Sequence, residues 1–444
     1  MAVLVREIRS RCAALGAVIL VAAAALAADT PPEAQRVQAV IDLLKKGDAA
    51  AAVAKLGEGA ALQSLASDPY LVQVLCDRAY RSDSAKTDAA VRRTLATRLV
   101  ELATAANSAA PSDDRTRWAL ADALVLRERA GPPTGAAAWT QAVDLLEKVH
   151  AGHPADSLPL VYAISFTLEA ACADAEAAPA LSNRADALAK KALEGQKDSA
   201  TLAVSIGTTQ FWAAQTLWAT NRKVSRNQVK SALDTLRPFA TRKAPVVEAA
   251  GLWNDAVEFG VVSEMGLPER VVTSPHLVLD GRLLLDVPVS PRWSVTTVEK
   301  TDEQPAYEYV TEVDAAGKRL RQVIFRSYAW NQQYTFEGPN PCGGDNVKTI
   351  AQGLQDMAAA HIFAPGATTP APARRNFCKE LDGYAFESAG KTTDEAPEPL
   401  HLYGYVVRGK DQTCYAALVY VYGKEDRLGT GMATLVASLR PPER

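Results

Sequence analysis

The chain reads as an all-α helical-repeat solenoid followed by an α+β domain with an antiparallel sheet and two helices. Three observations predict this. A block of about 43 residues recurs about five times before residue 260, with copies opening at Asp68, Asp113, Asp156, Asp198 and Lys243, at intervals of 45, 43, 42 and 45 residues. Composition shifts after Gly260, and from Leu277 the pattern turns to β-branched and aromatic alternation. At 444 residues, with 48% hydrophobic and 22% charged, the chain exceeds one core and has ordinary globular material for two or three domains.

Residues 1–28 carry a basic start (Arg6, Arg9, Arg11), an uncharged run of 17 residues from Cys12 to Ala28, and a small-x-small site at Ala25-Leu26-Ala27. This is the pattern of a secretory signal peptide, and it predicts an exported protein, periplasmic or secreted, with envelope association left open. An uncleaved signal anchor is the alternative, since 17 residues sit at the lower limit for spanning a bilayer. Removing the signal leaves 45 basic and 50 acidic residues, a net charge of −5. That argues against nucleic acid, because phosphate binding needs clustered cations. Of the remaining cysteines, Cys342 and Cys378 stand in loop-like contexts and are the predicted disulfide, whereas Cys76, Cys172 and Cys414 stand in helical or strand patterns. An odd count leaves a thiol over, expected to behave as a small buried hydrophobe.

Residues 29–262 form the predicted repeat domain. Val37, Val40, Ile41 and Leu44 make an opening helix, and Gly47-Asp48 restarts a short second one through Leu56. Among the first helices, Leu160, Ala163, Ile164, Thr167, Leu168 and Ala171 form the clearest stripe. The second helices carry Val91, Leu95, Leu99 and Leu102, then Trp139, Val143, Leu146 and Val149, then Ala185, Leu188, Ala192 and Leu193, then Val229, Leu233 and Leu236. Asp68, Asp113, Asp156 and Asp198 signal helix starts, their carboxylates able to accept from the free amides of the first turn. Gly131-Pro132-Pro133, His153-Pro154 and Pro179 supply the breaks. With Trp118, Ala121 and Leu124, this half resembles the tetratricopeptide-repeat family, though the period is longer than that family's and no glycine-tyrosine pair recurs. The resemblance implies a surface for a protein or peptide partner. Phe211, Trp212, Leu217 and Trp218 are expected to fill the core rather than anchor a partner. Asp77, Asp122, Glu169, Gln210 and Asn254 are polar candidates to line a groove.

Residues 263–275, with Gly266, Pro268 and Pro275, read as a linker, and 276–444 as the α+β domain. Strands are predicted at about 277–287, 306–313 and 319–328, a helix at 345–361, a Pro-rich loop at 364–373, strands near 383–388, 400–408 and 413–422, and a closing helix bearing Leu428, Met432, Leu435, Val436 and Leu439. Val287-Pro288 followed by Trp293, the central hairpin, the helix before the loop and the ending Ser438-Leu439-Arg440 resemble the family of the photosystem extrinsic protein PsbP and its bacterial relatives. That resemblance implies a non-catalytic assembly or stability factor.

No catalytic, cofactor-binding or metal residue is predicted. His150-x-x-His153 lacks a third ligand and reads as an exposed helix end, and phosphate loops, a serine elbow and a zinc-peptidase helix are absent from the sequence. The function predicted is a non-enzymatic exported adaptor or scaffold without a cofactor. The alternatives are a secreted hydrolase with a spatially assembled site, and small-ligand binding between the sheet and loop 364–376, lined by Tyr403, Tyr405, Tyr420 and Tyr422.

Overall fold

The computed structural model describes residues 32–81, 88–131, 136–278, 283–298, 307–314, 316–328, 345–378, 381–393, 397–408, 414–423, 435 and 438. The predicted signal peptide, Cys342 and most of the closing helix lie outside these, so the disulfide with Cys378 does as well. The chain divides into two compact units, residues 1–236 and 237–444.

The first unit opens with α1 (Pro32–Lys45), α2 (Ala49–Leu56) and α3 (Ala60–Ala66), the last absent from the sequence reading. Helical pairs follow at the predicted period: α4 (Pro69–Arg81) with α5 (Ala89–Ala109), α6 (Asp114–Ala130) with α7 (Ala136–Gly152), α8 (Leu158–Ala173) with α9 (Ala178–Gly195), and α10 (Ala200–Leu217) with α11 (Arg222–Ala240). Stacking runs in sequence order, α6 on α4 and α5, α7 on α6, α8 on α7, then α9 and α10 on α8. Such an array buries each stripe against the next repeat rather than within one hairpin. Its centre is α8, where ten of sixteen residues are buried, including Leu160, Ile164, Phe166 and Leu168. A helix apolar on so much of its circumference must be packed on several sides, and α7, α9 and α10 supply those sides.

The caps explain where these helices start. Asp68 accepts from the amides of Tyr70 and Leu71 at 3.0 and 3.1 Å and Asp113 from Arg115 at 2.8 Å, whereas at α8 the cap position is Ser157 and Asp156, one residue before it, accepts from Leu158 at 2.9 Å. At the fourth repeat the cap is Ser199, whose hydroxyl accepts from Leu202 at 3.2 Å, and not Asp198. Asp68→Ala is expected to cost about 1 kcal/mol, read as a lowered urea midpoint with an unchanged slope.

The second unit begins with α12 (Val247–Val262) and continues as β1 (Thr273–Val278), β2 (Leu283–Pro288), β3 (Trp293–Val298), β4 (Tyr307–Val313), β5 (Arg319–Tyr328), α13 (Asp345–His361), β6 (Ala373–Cys378), β7 (Leu381–Lys391), β8 (Pro399–Arg408) and β9 (Cys414–Tyr422). The division of the chain falls upstream of residue 262 because α12 bonds to the chain that follows it. Trp253 donates its indole N–H to the Arg270 carbonyl at 2.9 Å, and Asn254 bonds to Val272 and Val289. Gly251 lets the helix come this close, since a Cβ there would lie 2.8 Å from Pro291 Cδ.

The strand predicted at 277–287 is a hairpin, β1 paired antiparallel with β2, and β1 begins inside the predicted linker. The other strands form one antiparallel sheet in the order β3-β4-β5-β9-β8-β7-β6. Strands β3 and β6 are absent from the sequence reading, and β6 emerges from the end of the Pro-rich loop. Helix α13 covers one face, with Val347, Ile350 and Leu354 against Phe386, Leu402, Val406 and Leu418. The opposite face carries Val310, Val323, Phe325 and Val419 with Val278, Leu285 and Leu435. At Gly404 a Cβ would lie 2.0 Å from the Phe386 ring, so glycine is what lets that ring lie flat on β8.

Candidate functional site

The first helices of three successive repeats bring a band of aromatic and charged side chains together. Arginines end two of them, Arg81 on α4 and Arg129 on α6, where they complement the negative end of the helix dipole. The third helix offers Glu169. Arg129 donates through Nε to Glu169 Oε2 at 2.7 Å and through Nη2 to Glu169 Oε1 and to the Tyr80 hydroxyl, the latter at 2.9 Å. Its guanidinium also lies over the Tyr80 ring, 4.5 Å from the centroid. Burial works against this charge, and the Glu169 carboxylate with the Tyr80 phenol outweighs it, so Arg129 holds its proton more firmly than in water. Ser165 donates to Glu169 at 3.2 Å. On α4, Arg81 donates to Asp77 at 2.7 Å and reaches the Tyr162 hydroxyl at 3.4 Å.

Aromatic rings form the floor beneath these charges. Trp118 meets Tyr162 edge-on at 5.3 Å, Tyr162 meets Phe166 at 6.0 Å, and Tyr80 meets Phe166 at 5.7 Å. Trp118 is half-buried, and the Arg81, Asp77 and Arg129 side chains keep 26, 34 and 31% of their surface. Burial pushes the Tyr162 phenol up, so its hydroxyl meets Arg81 as a neutral acceptor. Ion pairs and hydrogen bonds hold the arginines over the buried rings of Tyr80 and Tyr162, so little order remains to be imposed on this part of the surface.

The predicted polar candidates separate. Asp77 and Glu169 join the band. Asp122 is fully buried, Gln210 lies between Asp186 and Thr235 at 3.3 and 3.0 Å, and Asn254 is tied to backbone in the second unit. These three line no open groove. Phe211 and Leu217 are buried, as expected, and Trp212 packs against the same core. The histidine pair corrects the sequence reading: His150 is buried with Nδ1 2.9 Å from the Asp156 carbonyl, while His153 is exposed and lies 3.1 Å from Asp114. No group of three or more His, Cys, Asp or Glu among the described residues is placed to hold a metal. Cys76 and Cys172 are free, and burial raises both thiols, Cys172 to about 12, so neither is poised as a nucleophile. The four tyrosines do not share a pocket. Leu402 pairs with Tyr420 and Tyr403 with Val419, which puts Tyr420 and Tyr422 on the α13 face and Tyr403 and Tyr405 on the other. No helix among the described residues is long and apolar enough to cross a membrane.

The sequence reading named Trp118 but missed Tyr80, Arg81, Arg129 and Tyr162. The signal was present in the arginine-rich last turns of two first helices and the acid toward the end of the third.

No family model matches the chain, and no curated protein matches it. Among solved structures, the chain is similar to TTC0263, a thermophilic TPR protein of Thermus thermophilus, at 17% identity with a TM-score of 0.27, over 46% of this chain and 91% of that one. It is similar to a MamA chain from Desulfovibrio magneticus RS-1 at 12% identity and a TM-score of 0.27, over 47% of this chain and 98% of that one. At these scores the helical-repeat fold rests on the stacked pairs themselves.

Proposed function

We propose that the chain is an exported, non-catalytic adaptor whose tetratricopeptide-like unit holds a protein or peptide partner on the band of α4, α6 and α8. Its α+β unit, in this reading a PsbP-like module, docks a second component of the envelope. The observation that carries the reading is the surface of Trp118, Arg81, Arg129 and Asp77, held in place over the buried rings of Tyr80 and Tyr162 by equivalent helices of successive repeats. Export rests on the basic, apolar and small-residue order of residues 1–28.

The test is photo-crosslinking of the full chain in its own cells, with the probe at Arg78 beside the band. A discrete crosslinked protein is expected. Trp118→Ala should weaken its capture about tenfold or more, since truncated hot-spot tryptophans commonly cost about 2 kcal/mol or more. Capture unaffected by Trp118→Ala, in a variant with an unchanged circular dichroism melt, would place the partner elsewhere and overturn the assignment of the band.

A further inference from the structure

Five charged side chains meet where α12 lies against the turn before β3 and against β4 and β5. Asp255 and Glu258 come from α12, Arg292 from the turn, Glu312 from β4 and Arg321 from β5. They form a chain of alternating sign. Arg292 donates to Asp255 and lies 3.6 Å from Glu312; Arg321 donates to Glu312 and lies 3.6 Å from Glu258. Glu312 and Arg321 keep only 1 and 8% of their side-chain surface. Both ends of the chain are therefore carboxylates of one helix, a single turn apart. Among the described residues three negative charges face two positive ones, which leaves the cluster one positive charge short; Asp255, Arg292 and Glu258 keep 32, 34 and 25% of their side-chain surface, so water relieves part of the excess while the Glu312–Arg321 centre stays buried.

We propose that this cluster is a proton-operated latch: a single proton, taken up on Asp255 as the medium acidifies from pH 7.5 to 5.5, balances the charges and tightens α12 onto the sheet. The groups acting on Asp255 are Arg292 from the turn, Glu312 from β4, and Glu258 along its own helix, with Arg321 of β5 bridging the two glutamates. Burial is the first cause that lifts the Asp255 carboxyl, to about 6; Arg292 opposes it, and Glu258 and Glu312 add to it. A carboxyl raised in the folded state binds its proton more tightly there than in the unfolded chain. Its contribution is thus complete below about pH 4 and is lost as the pH rises through about 6. Gly251 keeps α12 close to the turn that carries Arg292, since a Cβ there would meet Pro291 and Ser290.

The test uses the full chain and two measurements. Hydrogen exchange over α12, corrected for the intrinsic pH dependence, should show protection rising about fourfold between pH 7.5 and 5.5 in the wild type, the change a carboxyl of pKa about 6 supplies. Asp255→Asn, which mimics the protonated form, should remove that rise. Carbon-13 NMR of the wild-type carboxyls should show one that titrates near 6 and disappears in Asp255→Asn. Equal protection profiles in the two proteins, or an Asp255 midpoint near the ordinary value of about 4, would overturn the latch. If the variant fails to fold, the wild-type titration decides alone.

Discussion

Phe166→Ala is expected to destabilise the first unit by about 3–5 kcal/mol, the cost of emptying a large buried ring site that cannot collapse. Phe166 is fully buried at the middle of α8 and touches Tyr80 of α4, Trp139 of α7 and Tyr162 of its own helix. Its removal takes away apolar contact and also the edge-on partners that hold Tyr80 and Tyr162 under the arginines. The change should therefore appear twice: as a lower denaturation midpoint, and as faster hydrogen exchange in α4 and α6 as well as α8. Phe166→Leu keeps most of the volume and should cost clearly less. A loss under about 1 kcal/mol for the alanine variant would mean that the helices close over the gap and that the rings are not the cement argued here.

Arg321→Ala is expected to cost the second unit about 3–5 kcal/mol, because it leaves the Glu312 carboxylate buried without its principal partner. Arg292, 3.6 Å away and already bonded to Asp255, can compensate only in part. The companion experiment replaces both members, Glu312→Leu with Arg321→Met. With the buried carboxylate gone, and only the partly exposed Glu258 losing its neighbour 3.6 Å away, this double variant should recover most of the loss, since apolar pairs of similar volume commonly match a buried ion pair. Urea denaturation of the three proteins separates the outcomes; a double variant as unstable as the single one would show that shape, and not charge, governs the site.

What was legible in the sequence was what depends on near neighbours. The repeat period, the stripes of α7 and α8 and the aspartate caps at Asp68 and Asp113 are set within a turn or two of chain, and the structure keeps them. Ser199 displaced Asp198 because two capping residues stand side by side and either can reach the first turn. The two strands missed, β3 and β6, are the two edges of the seven-stranded sheet. An edge strand has one partner and one open side, so Arg374, Arg375 and Asn376 can stand in β6 without the alternation that marks an interior strand. The hairpin of β1 and β2 read as one strand because both arms are apolar and the break between them is short. The aromatic band was illegible for a different reason. Tyr162 meets Arg81 across 81 residues of sequence, and no local pattern reports such a pairing.

The side chain of Asn254 donates to the carbonyls of Val272 and Val289 at 3.0 and 3.1 Å and accepts from the Val272 amide at 2.7 Å, just where Val289 donates to Val272 at 3.0 Å. It works as one more rung at the open end of the β1–β2 ladder, supplied from outside the sheet. Two-stranded ladders are prone to slide, and a slip of one residue turns every side chain over. Here a slip would break the rung as well, so the alignment of the hairpin is dictated by a helix that precedes it in the chain.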